Sequence, residues 1–137
     1  AGVKDPKAPH GRFISEWAPG KKLLRSRTFW HTDGKGAQIY EGAQYWHPGR
    51  KELVMFEVSA AGEVYEGVIT EKDGTSIVRF TAYSAAGKAE YEQHGGYLDD
   101  DTMWSKVYQK KGEELVLLKE FKFHRKPVGW PNHEKTE

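Results

Sequence analysis

An all-β fold, an antiparallel up-and-down meander closing into a barrel of about eight to nine strands, is predicted by three features of this chain. Glycine-ended turns recur at nearly even spacing, at Ser59-Ala60-Ala61-Gly62, Lys72-Asp73-Gly74, Ser84-Ala85-Ala86-Gly87 and Lys110-Lys111-Gly112. Glycine supplies the left-handed conformation that closes a three-residue hairpin loop. The runs between the turns are rich in Val, Ile, Phe, Tyr and Thr, the residues that fit a pleated surface. Helical periodicity is absent, and 15 glycines with 13% aromatic residues suit closely spaced strands. A closed meander holds its ligand inside, so this fold bears directly on function.

Taken in order, residues 1–11 carry Pro6, Pro9 and Gly11 with little apolar content and read as an irregular arm. Strands follow near 12–17, 22–32, 37–47, 52–59, 63–71, 75–84, 88–98, 102–110 and 113–125, giving one barrel domain over 12–126. A tail over 127–137 repeats the character of the arm. One domain is what 137 residues allow, enough to bury roughly two-thirds of the unfolded surface.

Charge and cysteine content narrow the function classes. Lys+Arg 21 against Asp+Glu 20 leaves a net charge of +1, so no global field recruits nucleic acid or an anionic membrane. Trp30, Tyr45 and Trp104 among Lys and Arg are the aromatics that could stack on single-stranded nucleic acid, and a net charge of only +1 argues against that use. With no Cys, disulfides, thiolate metal sites and cysteine nucleophiles are excluded. No apolar run approaches the ~20 residues that span a bilayer. A soluble protein is expected, with the cytoplasm favoured over export.

Register follows from the turns. With three-residue loops, Ser59 opposes Glu63, so Glu57 lies beside Tyr65, Met55 beside Gly67 and Leu53 beside Ile69. The same rule continues these rows across Arg79 and Thr81 to Gln93 and Tyr91. Extended outward, the face gains Trp46, Gln44, Gly42 and Tyr40, then Leu23, Arg25, Arg27, Phe29 and His31 on one side. On the other it gains Tyr97, Met103, Ser105, Val107, Leu115 and Leu117. A face with so many large aromatics beside three arginines reads as a cavity lining, with glycines 42, 67 and 95 leaving room. The opposite face carries Val54, Phe56, Val78 and Phe80, an apolar patch suited to a homodimer contact.

The run Leu23-Leu24-Arg25-Ser26-Arg27-Thr28, the Asp33-Gly34 turn, Tyr45-Trp46-His47-Pro48, the Ser59-Ala60-Ala61-Gly62 corner with Glu66-Gly67 after it, and Leu98-Asp99-Asp100-Asp101-Thr102 together carry a resemblance. The stretch from Trp17 to Arg125 resembles the lipocalin-like, calycin-type small barrels of uncharacterised bacterial proteins, a family of unknown function. The resemblance implies a fold rather than a reaction. Relatives of this kind open with a longer helix and a Gly-x-Trp strand, which this chain lacks.

Three functions are compatible with these residues. The first is binding of a small, largely apolar molecule whose anionic or polar head meets Arg25, Arg27 and Arg79, with Tyr40, Gln44, Trp46, Met55, Gln93 and Tyr97 lining the pocket. The second is an isomerase, cyclase or hydratase using Glu57 as acid or base, with Tyr65, Tyr91 or His31 as the second proton-handling group. The third is a non-catalytic dimerising module. No cofactor and no metal are called for: the six histidines lack ligand spacing, and Asp99-Asp100-Asp101 reads as a solvated turn. Phosphate loops and nucleophile elbows are also missing from the sequence.

Overall fold

The computed structural model describes residues 7–125. Nine strands follow one another in a single antiparallel sheet whose spatial order is the chain order. They are β1 (His10–Trp17), β2 (Leu23–Thr32), β3 (Lys35–His47), β4 (Glu52–Ser59), β5 (Val64–Lys72), β6 (Thr75–Ser84), β7 (Gly87–Asp99), β8 (Thr102–Lys111) and β9 (Glu114–His124). The predicted tail over 127–137 lies outside the described residues.

The sheet curls strongly into a half-barrel. One cross-strand row shows why: it runs Ser15, Ser26, Gly42, Glu57, Tyr65, Ala82, Ala89. Its first member stands near the C-terminal end of β1 and its last near the N-terminal start of β7. The row thus drifts across the sheet by most of a strand length, the stagger that a barrel-like coil requires. Glycines permit close approach of neighbouring strands within that coil. A Cβ on Gly42 would overlap the Phe56 carbonyl and come within 2.7 Å of Glu57 Cγ, and one on Gly67 would overlap the Arg79 carbonyl. Residues expected to leave room for a ligand instead let neighbouring strands close on each other.

β1 and β9 do not pair, so the half-barrel is open. With no second layer among the described residues, the chain exposes 9964 Å², against roughly 7,200 Å² for a compact fold of this mass. The two faces are nonetheless unequal. Within 64–69, 76–82 and 89–95 the exposed residues are Glu66, Arg79 and Glu90, all on one face. Side chains converge on the concave side of a curled sheet and splay apart on the convex side. Across β5 to β7 the face bearing Tyr65, Phe80 and Tyr91, with Glu57 beside them, is the less exposed and is the concave one there; across β2 to β4 the most buried apolar side chains, Phe29, Ala43 and Val54, lie on the other face.

Turn chemistry decides which residues reach it. The Ser59–Gly62 corner is the predicted three-residue loop, with Ser59 N–H donating to the Glu63 carbonyl at 2.9 Å and Gly62 N–H to the Ser59 carbonyl at 2.9 Å. Lys72 and Thr75, however, flank a two-residue loop in which Asp73 and Gly74 both take positive φ, 52° and 77°. That is the type I′ geometry whose twist matches the strands. One residue fewer in the loop reverses the facing of β6. Arg79 accordingly points to the convex side, and Val78 and Phe80 to the concave side. The proposed dimer patch is split, with Val54 and Phe56 convex and Val78 and Phe80 concave. Ser84 and Gly87 flank another two-residue loop, which restores the expected facing of Tyr91 and Gln93.

A bulge corrects the other end. Thr28 opposes Tyr40 but Phe29 opposes Gln38, leaving Ile39 as an extra residue whose carbonyl accepts the Ala60 N–H at 2.9 Å. One inserted residue swaps faces beyond it. Arg25, Arg27, Phe29 and His31 lie on the convex side, opposite to the expectation, while Tyr40 stays concave. A two-residue turn likewise moves Leu115 and Leu117 to the convex side, and the bulge at Leu118 returns Phe121 and Phe123 to the concave side.

Candidate functional site

Three adjacent rows build the middle of the concave face. Gly42, Glu57, Tyr65 and Ala82 form the first, Gln44, Met55, Gly67, Phe80 and Tyr91 the second, and Trp46, Leu53, Ile69, Val78, Gln93 and Val107 the third. Aromatic rings link the strands: Tyr40 meets Tyr65 edge-on at 5.6 Å, Tyr65 meets Phe80 edge-on at 6.1 Å, and Phe80 stacks on Tyr91 at 5.4 Å. Centroid spacings of this kind contribute beyond simple area burial. Trp46 and Tyr97 stand at the rim, 57% and 69% exposed. Gln93 donates through Nε2 to the Ser105 hydroxyl at 2.7 Å, fixing its amide on the floor of the face.

Glu57 is the one acid in the middle of these rows. Burial raises its pKa above the ordinary carboxylate value, because the charged form loses hydration that nothing nearby replaces. Glu57's contribution to stability is expected to be greatest below the ordinary carboxylate pKa, to fall as pH rises from there through the raised folded value, and to level off above it. Glu57→Gln should remove that segment of the slope and raise stability at neutral pH by on the order of 1 kcal/mol. Glu41, whose carboxyl Arg25 holds below the ordinary range, contributes the opposite slope, so the comparison of wild type with Glu57→Gln isolates Glu57.

The expected cationic cluster is dispersed over the convex face in ion pairs. Arg25 bonds Glu41 through Nε at 2.8 Å, Arg27 meets Glu16 at 3.3 Å, and Arg79 meets Glu92 at 3.4 Å. None of the three faces the aromatic rows. His31, 2% exposed, is stacked on His10 at 4.7 Å and packed where a Cβ on Gly36 would come within 2.6 Å of its ring. It is a packing residue of the convex side.

These placements weigh on the acid/base reading. The Tyr65 hydroxyl donates to the Glu63 carboxylate, and burial together with that bond pushes its pKa up. Tyr91 lies three strands from Glu57. Glu57 is thus a lone proton-holding group, able to donate a hydrogen bond when neutral but without an adjacent relay.

Phe80 and Val78 are the site residues that sequence reasoning missed, and the Asp73-Gly74 dipeptide was the available signal, since it favours a two-residue hairpin. Elsewhere, a groove of about 410 Å³ opens on the convex face against Tyr45, Val54, Phe56, Glu66 and Tyr83. It is shallow and wide to solvent, and its rings make no stacked contact with one another. At the far hairpin, Asp99 accepts the Asp101 N–H at 2.8 Å, a carboxylate closing its own turn.

No helix among the described residues is long and apolar enough to cross a membrane. No protein-family model matches the chain, and neither a curated protein nor a solved structure matches it.

Proposed function

We propose that this protein is a lipocalin-like binder whose concave face takes a small, flat, largely apolar molecule across Tyr40, Tyr65, Phe80 and Tyr91. The observation that carries this reading is the chain of ring contacts spanning β3 to β7 with Glu57 set among the rings. Ring faces favour a planar guest, and a half-buried acid favours a head that accepts a hydrogen bond or carries positive charge. An anionic head is disfavoured here: the arginines that would meet it are on the other side, and Glu57 would face it with like charge.

N-phenylnaphthylamine and its anionic analogue anilinonaphthalene sulfonate test the reading, since they share a fluorophore and differ in charge. The neutral probe should bind with enhanced emission and the sulfonate more weakly. Tyr91→Ala should weaken the neutral probe by roughly tenfold, the loss of one stacked aromatic contact and its area. Equal binding of both probes, unaffected by Tyr91→Ala, would refute the concave site.

A further inference from the structure

We propose that the outer edge of β9 joins a second copy of this chain, β9 to β9 and antiparallel, so that two half-barrels share one continuous sheet. β9 has no strand on its outer side among the described residues, and all 11 of its residues are exposed. Phe121 and Phe123 stand 41% and 37% exposed on its concave side. A long apolar edge of this kind is a template for strand addition.

Charge selects the register. A two-fold axis normal to the sheet pairs residue i with j and j with i, both on one face. Centred on Lys119, Glu120 or Lys122, the pairing would set like charges opposite each other, which is destabilising. Centred on Phe121, it sets Glu120 against Lys122 of the second copy and Lys122 against Glu120 of that copy. Both residues lie on the convex side, where Lys106 already stands 3.4 Å from Glu120. Hydrogen bonding agrees. Lys111 and Glu114 flank a two-residue hairpin and so form a bonded pair, and alternation through the bulge at Leu118 turns the backbone groups of Glu120 and Lys122 outward. This proposal does not depend on the ligand reading.

The full chain should sediment as a dimer at about 100 μM, a concentration that populates even a weak specific pair. Lys122→Glu should weaken the dimer by roughly tenfold, whereas Glu120→Lys combined with Lys122→Glu should restore it. Because the sequence has no cysteine, Phe121→Cys gives a clean second test. Its own counterpart would stand at about 4.5 Å between Cα atoms, within disulfide reach. Mild oxidation should cross-link Phe121→Cys but not Phe13→Cys on β1, with circular dichroism verifying the strands; this arm decides the matter if the charge variants fail to fold. A monomer at that concentration, a double variant as weak as the single, or cross-linking at position 13 in place of 121 would overturn the proposal.

Discussion

Gly42→Ala is expected to destabilise the fold by about 2–3 kcal/mol, read from urea denaturation, because the added methyl has no space that a side-chain shift can provide. The obstructing atoms are the backbone carbonyl of Phe56 and the Cα of Glu57, the latter 2.8 Å from the new Cβ. Relief would require β3 and β4 to separate at their Gly42–Glu57 contact. Gly62→Ala makes the matched comparison. Gly62 has φ +83° but no atom within 4 Å of the added Cβ, so its cost is conformational alone, about 1 kcal/mol. A smaller loss at Gly42 than at Gly62 would mean that the coil does not pass through that glycine.

The second large effect is expected at Phe80. Its ring is the link between Tyr65 and Tyr91, so Phe80→Ala removes two ring contacts and leaves a gap on the concave face that flanking backbone cannot fill. A loss of about 2–3 kcal/mol follows from the size of the deletion. Phe56→Ala, the same chemical change on the convex face where the ring is already 40% exposed, should cost less than half as much. Thermal or urea denaturation of the two variants reads out the facing of β4 and β6 together. The reversed order of stabilities would restore the face originally expected from the sequence, with Arg79 inside and Phe80 outside.

That expectation shows how far register can be read from residues alone. Where the loop had three residues, as at Ser59–Gly62, every partner along β4 and β5 came out as observed, from Glu57 beside Tyr65 to Leu53 beside Ile69. Where the loops have two residues, a three-residue reading inverts β6, and the same reading at Ser84–Gly87 inverts β7 back. Tyr91 and Gln93 therefore keep their expected facing because the two one-residue differences cancel. Asp73-Gly74 carried a legible signal, since adjacent positive φ values favour this dipeptide. The bulge at Ile39 did not. An inserted residue in a strand has no composition of its own, and what holds it is a contact from a distant turn, the Ala60 N–H. Because that single residue decides the facing of Arg25, Arg27 and His31, the anion site inferred from them could not survive it. Strand positions, by contrast, depend on local pattern and turn residues, and these were close throughout: the sequence placed β4 at 52–59 and β6 at 75–84, as found.

The chemistry of the site changes accordingly. A cavity with three guanidinium groups would have held Glu57 ionised and selected acids. On the binding function proposed above, a face of rings with one desolvated carboxyl would favour neutral or basic planar molecules. The most direct test is a nuclear Overhauser measurement on the protein with N-phenylnaphthylamine bound. Cross-peaks from the probe to the rings of Tyr65, Phe80 and Tyr91 are required by this account, and cross-peaks confined to Tyr45, Phe56 and Tyr83 of the convex groove would contradict it.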